Sequence, residues 1–529
     1  MSQAYSWMLT LVVFLPAVGA AIILLLPRAE EQAIKWVALL TTLATFGVLV
    51  GILFEFDYDQ SGRLQMQVDK HWIDVINSHY HLGLDGISLP LLALSAFVTV
   101  LCVIYSWNHF PEPHNPKAFL ALILVLEVGM NGTFVAQDLI LFFVFFEVVL
   151  LPMFFMIGVW GGPNREYASI KFFLFTLFGS ALMLLSFLAI YFESNPHTFD
   201  IAALSDSHLK LLTGLSTGTA SLIFAGLFLG FAIKVPMFPF HTWLPDAHTE
   251  APTVGSVLLA AILLKLGTYG FVRIALPILP GAAKDWAPWI GLLAIIGIIY
   301  GALGCLAQRD MKRLIAFSSV AHMGFVMLGI ATLTTIGINA AIFGMVAHGL
   351  ITGMLFFIAG SVQHNYGTRE LSRLGGLLKQ APKMGWILGF CAMASLGLPG
   401  LAGFWGEFPA IQSTFEPGGN LSQPLFRTYM VIAALGTVLA AGYLLWMLQK
   451  VAFGVPKAEF AEAHVHDVNA FEWTAWVPML LLILALGLFP NIVFHVTDQP
   501  VSCKTAVPFS STPVQNCATA QLTAARSGG

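Results

Sequence analysis

Charge is what this sequence has least of. Of 529 residues only 10% are Asp, Glu, Lys or Arg, whereas 57% are hydrophobic. That ratio excludes a water-soluble globule with a polar coat, and the absence of basic blocks excludes an electrostatic surface for nucleic acid. Cysteine is scarce too: there are five, with no CxxC pair among them, so no thiolate cage for zinc or an iron–sulfur cluster is expected. No GxGxxG turn or Walker-type loop occurs either, and no nucleotide or cofactor site is expected in this chain.

What fills the sequence instead is apolar runs. A helix crossing ~30 Å of hydrocarbon needs roughly 20 apolar residues. Runs of that kind begin near Trp7, Ala33, Ser88, Ala118, Asp138, Ala168, Ala220, Thr253, Ala287, Leu314, Gly337, Gly385, Thr428 and Glu472. The expected fold is an all-α polytopic membrane protein of about fourteen transmembrane helices. The first run has no basic leader and is too long for a cleaved signal, so it is expected to remain as a helix. Short turns bearing Gly, Pro and Asn separate the runs and leave no room for a soluble domain.

Lysine and arginine set the orientation. Counting spans in order places Arg28, Lys35, Arg165, Lys171, Arg309, Lys312, Arg313, Arg369, Arg373, Lys379, Lys383 and Lys457 on one side, about twice the basic count of the other. That side is expected to be cytoplasmic, with both termini outside. Cys102, Cys305 and Cys391 lie within or at the ends of apolar helices, as packing residues do. Cys503 and Cys517 share a polar outer tail, where an oxidising compartment permits a disulfide.

Two spans carry their own interruptions. Residues 231–245 contain Pro236, Pro239 and Pro245, and residues 396–409 contain Pro399, Gly400, Gly403 and Gly406. Proline removes a backbone donor and clashes with the preceding turn, so both spans are expected to be discontinuous, their freed carbonyls facing protein or a polar cavity. They are the seventh and twelfth spans, five apart, as two five-helix units, helices 4–8 and 9–13, require. An odd-numbered unit reverses direction when repeated, so the repeat is inverted, and paired broken helices mark an ion site near mid-membrane. The expected organisation is 1–117 for the first three helices, 118–277 and 285–454 for the repeats, 470–497 for a last helix and 498–529 for the tail.

Ionisable residues inside the apolar runs are the candidate functional groups. Glu147 stands alone in residues 142–155, and a lone charge at mid-membrane costs at least ~3 kcal/mol, so it needs a partner. The candidates are Lys234, beside the first break, and Lys265. His322, His348 and Glu407 continue the series toward the second break. Burial lowers a lysine's proton affinity and raises a carboxylate's, while an adjacent opposite charge reverses both, so pairing and unpairing controls protonation. Histidine titrates near neutral pH and can bridge the middle through water. Some such groups merely tie helices together. Glu127 is expected as a side connection to a neighbouring subunit and Asp138 as a helix cap. His241, Asp246, His248 and Glu250 straddle Pro245 without sharing a helical face, which suits a hinge or proton-uptake region better than a metal site. The pair His464 and His466 is expected in a solvated loop.

The segment AIKVPMFPFHTWLPDAHTEAPTVGSVLLAAILLK at 232–265 resembles the signature of the antiporter-like subunits of respiratory complex I. RDMKRLIAFSSVAHMGFV at 309–326 and MVAHGL at 345–350 are similar to further segments of that family, and the resemblance covers residues 82–454. The family's proton-path residues map onto Glu147, Lys234, Lys265, His322, His348 and Glu407. A glutamate in GLPGLAGFWGEF, here Glu407, is typical of the M, or chain 4, branch. The resemblance implies that NADH, FMN, iron–sulfur clusters and quinone belong to partner subunits. It also implies contact with neighbouring antiporter-like subunits L and N within a lipid bilayer, with protons as the transported species. A bacterial inner (plasma) membrane is the expected location, an organellar inner membrane the alternative. Three competing readings stay open: a subunit of a multisubunit cation/proton antiporter, a photosynthetic ferredoxin–plastoquinone relative of complex I, and a scaffold joining pumping subunits.

Overall fold

A computed structural model describes residues 5–206, 208–461 and 465–510. Among them, thirteen helices are long and apolar enough to cross a membrane. In order they are Trp7–Leu25, Glu31–Glu55, Ser88–Ser106, Pro116–Val135, Leu139–Trp160, Arg165–Glu193, Thr217–Lys234, Thr253–Ile278, Pro280–Leu306, Met311–Ala331, Thr335–Tyr366, Gln423–Val451 and Ala470–Leu488. Before Gln423 a further span is divided into Pro382–Ser395 and Ala402–Ser413, each half too short alone, which brings the order to that expected from hydropathy.

Both interruptions are present. The seventh span ends at Lys234 and resumes as Trp243–Glu250, with Pro236 and Pro239 in the gap. The indole of Trp243 donates to the Ile233 carbonyl at 2.9 Å, so a backbone group released by the break is satisfied by protein rather than left toward lipid. In the twelfth span the gap at 396–401 holds Pro399, and Gly397 and Gly400 take φ values of +79° and +93°, a left-handed conformation open to a residue without Cβ. Two departures from regular helix were not expected. The eighth span is widened into π-helical turns at Leu259–Leu263 and Phe271–Ala275, and the fifth is interrupted at Val149, between Leu139–Val148 and Leu150–Trp160.

The segment between the second and third spans is also more ordered than a loop. It forms an antiparallel hairpin of β1 (Gln65–Ile73) and β2 (Ser78–Leu84), pairing Asp69 with His81 and His71 with His79. Asn77 supplies the left-handed turn residue, φ +51°, a conformation asparagine tolerates well. At the other end of the chain the last span stops at Leu488, short of the expected 497. Pro490 follows, and Asn491–Pro500 is a separate helix. The expected polar tail from 498 is packed at its start, because Val501, Ala506 and Phe509 are buried against the bundle. Cys517, half of the expected disulfide with Cys503, lies outside the described residues, as does His464.

Burial is graded across the bundle. The sampled windows of the eighth and eleventh spans are wholly buried and that of the tenth is 94% buried, against 28% for the second span. The outer helices turn Leu40, Leu174, Phe178, Leu185, Leu435 and Val438 outward, as a lipid- or subunit-facing surface requires. Between membrane helices the hydrophobic effect offers little attraction, and close packing through small residues takes its place. A Cβ on Gly230 would meet the backbone of Gly179, and one on Gly301 that of Ala321.

Candidate functional site

Each of the three innermost spans carries an ionisable group. Lys265 is fully buried in the eighth, His322 and His348 nearly so in the tenth and eleventh. The Lys265 ammonium donates to the Ala260 carbonyl at 2.5 Å and to His348 Nδ1 at 2.7 Å. Ala260 lies in the first π turn, where the wider register leaves a carbonyl free to accept from a side chain five residues on. The π turn thus gives this cation a backbone anchor that an α-helix lacks. An ammonium only donates, so His348 Nδ1 accepts and the ring proton sits on Nε2. That nitrogen is buried with no hydrogen-bond partner.

A small cavity of about 20 Å³ separates the two histidines, bounded by His348, Thr352, Ser395, His322 and Glu407 among others. Their ring centroids are 6.1 Å apart. The gap is too long for direct proton transfer, and the cavity has room for about one water. Beyond it, His322 Nδ1 stands 2.5 Å from Glu407 Oε1, while Nε2 meets the hydroxyls of Ser395 at 3.1 Å and Tyr443 at 3.0 Å. Hydroxyls rotate between donating and accepting, so the shell around Nε2 can serve the neutral ring and the cation alike. Glu407 lies midway along Ala402–Ser413, the half-helix that follows the break, and its Oε2 lies 3.3 Å from where a Cβ on Gly397 would be.

Lys234 and Glu147 form a second group. The Lys234 ammonium is buried without a hydrogen-bond partner, 4.8 Å over the ring of Phe146. Glu147 follows Phe146 directly, beside the interruption at Val149, and its electrostatic neighbours are Lys234 and Ser180. Among the described residues no direct ion pair joins Glu147 to either candidate partner. Lys265 is bonded to His348 instead, because the eleventh span packs against the π turn that holds it.

The remaining candidates separate. Asp246 pairs with Lys171 at 2.8 Å and Arg313 at 3.4 Å. Glu250 accepts the Asn164 amide at 3.0 Å, and His241 packs against Phe238 and Tyr300. His248 leaves this group altogether: it stacks on Phe356 at 4.6 Å with both ring nitrogens buried and unpartnered. Asp138 caps the fifth span, accepting the Ile140 and Leu141 amides. Glu127 is wholly buried within the chain, its oxygens without partners, so it offers no lateral surface contact. Sequence reasoning passed over Ser395 and Tyr443, and took Lys312 only as one of the basic residues that set the orientation. Ser395 stands just ahead of the second break and could have been found from that position; nothing local marks Tyr443.

Comparison with known proteins adds a second line. Residues 136–436 match the family model described as NADH:quinone oxidoreductase/Mrp antiporter, and residues 8–133 match that of NADH-ubiquinone oxidoreductase chain 4, amino terminus. NADH-quinone oxidoreductase subunit M of Rhodobacter capsulatus is 41% identical over 509 residues, 94% of this chain and 96% of that protein. The fold is also similar to a chain of respiratory complex I from Thermus thermophilus with bound NADH, with TM-score 0.84 and 29% identity, covering 95% of this chain and all of that one. A chain of the Mrp complex from Dietzia sp. shares the fold at TM-score 0.81 and 23% identity, over 93% of this chain but 52% of that one.

Proposed function

The chain belongs to the NADH:quinone oxidoreductase/Mrp antiporter family of membrane proteins, and from that premise we propose that it is a proton-translocating subunit in the membrane arm of an NADH–quinone oxidoreductase. Quinone reduction elsewhere in the complex drives protons through it. The observation that carries this reading is the polar line Lys265, His348, cavity, His322 and Glu407 through the most buried helices of an otherwise apolar bundle. Buried unpaired charge is costly in such a bundle, and a series of titratable groups at hydrogen-bond spacing there has an evident use in moving protons.

The proposed sequence of events uses electrostatics and hydration alone. With Glu147 ionised nearby, Lys234 holds its proton; withdrawing that field lets the lysine release it toward Lys265. Lys265 passes charge to His348 along their 2.7 Å hydrogen bond. One water in the cavity completes the step to His322, whose hydroxyl shell accommodates either protonation state. Glu407, on the far side of the second break, is the last carrier. Pro236, Pro239, Pro399 and Gly400 serve by keeping the helix breaks open to these side chains.

The chain works with other subunits, and antiporter-like subunits L and N are the proposed neighbours. NADH, FMN, iron–sulfur clusters and quinone are assigned to partners. The location proposed is a bacterial inner membrane, with both termini outside the cytoplasm. An independent cation/proton antiporter is the weaker reading: the relative aligned over nearly its whole length is an oxidoreductase subunit, while the likeness to the Mrp chain is of fold alone.

The deciding experiment is NADH-driven proton translocation in membranes carrying Glu147→Ala, with assembly of the complex verified in the same preparation. Pumping and quinone reduction are expected to collapse together. Wild-type rates in an assembled complex would overturn the proposed role of Glu147 and favour a scaffold.

A further inference from the structure

A polar cavity of about 470 Å³ opens at the end of the bundle where the basic loops gather. Its wall includes His109, Trp160, Glu250, Lys312, His364 and Arg369. None of these was marked by the hydropathy pattern as a relay group, yet two of them stand in unusual surroundings.

His109 is held as a fixed ring against a carboxylate. It stacks on Tyr105 with centroids 4.5 Å apart and meets His364 edge-on at 5.2 Å. Its Nε2 stands 3.6 Å from Glu472 Oε1, and its Nδ1 lies 3.3 Å from the Tyr105 carbonyl. Glu472 is almost fully buried at the start of the last span. Its second oxygen accepts the Asn469 amide at 2.9 Å, and Ser361, itself 3.1 Å from Tyr105 Oη, donates to the first. A carboxylate fixed in this way has one neighbour able to exchange a proton with water, and that neighbour lines the cavity.

Lys312 occupies the inner wall. It is buried and donates to the Ala251 carbonyl, with Arg369, Asp310 and Glu250 as charged neighbours. Further in is His248, wholly buried, both ring nitrogens unpartnered, with Lys312 and Lys265 as the charges that face it. His348 is faced in turn by Lys265, His322 and His248. An imidazole buried with neither nitrogen bonded is costly to keep, and here it stands between the cavity wall and the relay.

We propose that this cavity is the mouth through which protons reach the buried relay, with His109 taking them up against Glu472, and Lys312 and His248 carrying them inward to Lys265 and His348. Every step is a proton shift between a nitrogen or oxygen base and its neighbour or water; no bond to carbon changes. The inference rests on the proton-translocating reading above. It adds the place of uptake and the groups that perform it.

The test measures NADH-driven proton translocation by the assembled complex between about pH 6 and about pH 8, where histidine titrates, for Glu472→Gln and His109→Gln. Glutamine retains the capping box at the start of the last helix, so Glu472→Gln is expected to assemble; if it does not, His109→Gln decides. Both variants should approach wild-type rates at the acid end and lose rate toward the alkaline end. The alkaline limb should move by about one pH unit, a tenfold change in the proton concentration required, and a small diffusible buffer such as imidazole should restore it. A profile parallel to wild type, at full or uniformly reduced rate, overturns the proposal. A second arm places a cysteine at Asn108, on the cavity wall, and labels it with a bulky charged thiol reagent beside an unsubstituted control. Pumping should stop, and pumping that survives complete labelling overturns the proposal. Glu147→Gln is measured in parallel: if it pumps normally the underlying reading fails, whereas if it stops and the mouth variants keep the wild-type profile, only the place of uptake is wrong.

Discussion

Removing Asp85 should destabilise this protein more than any other single carboxylate deletion at the non-basic end of the bundle. Asp85 stands between β2 and the third span with its side chain at 0% exposure, paired with Arg273 of the eighth span at 7%. One arm of the guanidinium reaches Asp85 Oδ2 at 2.7 Å, and the other binds Oδ1 and, at 3.1 Å, the Ser88 hydroxyl. Its Nε donates to Tyr269 Oη at 3.1 Å, and Tyr269 holds the Phe134 carbonyl at 2.9 Å. Asp85 also accepts the Ile87 and Ser88 amides at the start of the third span. Deleting one partner of a buried ion pair costs about 3–5 kcal/mol, because the other charge is left stranded. Losing the cap adds about 1 kcal/mol. Asp85→Ala is therefore expected to cost about 4–6 kcal/mol. Arg273→Leu falls at the lower end, about 3 kcal/mol, since the carboxylate keeps its two amides and Lys504 at 3.8 Å. Replacing a whole buried pair by apolar groups is often near neutral, so Asp85→Ala with Arg273→Leu should be more stable than Asp85→Ala alone. The assay is the denaturation midpoint of the detergent-solubilised complex for the two single variants, the double variant and wild type, with pumping measured beside it. Because Arg273 anchors the helix that holds Lys265, pumping should fall with Asp85→Ala and partly return in the double variant. A double variant no more stable than Asp85→Ala would refute the stranded-charge argument.

Three further outcomes follow from the same contacts. A Cβ at Gly406 would collide with Gly344 Cα beside the His322–Glu407 pair, so Gly406→Val should cost about 1–3 kcal/mol by overpacking and depress pumping; unchanged pumping would show that close approach there is dispensable. His348→Leu removes the side-chain acceptor of the Lys265 ammonium and should abolish pumping in an assembled complex, measured by NADH-driven acidification; normal acidification would exclude His348 from the route. On the β1–β2 hairpin, burial lowers the proton affinity of His81, but Asp200 at 2.7 Å outweighs it and the net shift is upward; burial likewise opposes, and His81 overcomes, the net lowering at Asp200. The histidine's contribution is full below its unfolded value of about 6.5 and is lost as pH rises through the raised folded value; the aspartate's is full above about 3.9 and is lost as pH falls through the lowered one. The protection factor of amides 201–204, which removes the base-catalysed intrinsic rate, should therefore be highest at mildly acidic pH and fall on the alkaline side, and Asp200→Asn should flatten that dependence; a dependence of the protection factor surviving in the variant would assign it to another group.

The sequence determined by itself the number and order of the spans, the two proline-interrupted helices and which ionisable residues stand within the apolar runs. Each follows from a local rule: hydrocarbon has no water for backbone or charge, so a run of twenty apolar residues, a proline inside it or a lysine within it states its own consequence. Pairing obeyed no such rule. Lys265 and His348 are 83 positions apart, and of Glu147's two candidate partners it is Lys234 that faces it electrostatically. The π turns of the eighth span, the first of which turns the Ala260 carbonyl onto Lys265, are a register that helix propensity does not encode. The β1–β2 hairpin and the folding back of residues 501–509 were hidden because mixed polar stretches fit strand, helix or loop until Val501, Ala506 and Phe509 find the bundle to bury against. Composition fixed which groups had to enter the membrane interior; only the tertiary structure decided which of them touch, because contact depends on distances between helices that the periodicity of any one helix does not contain.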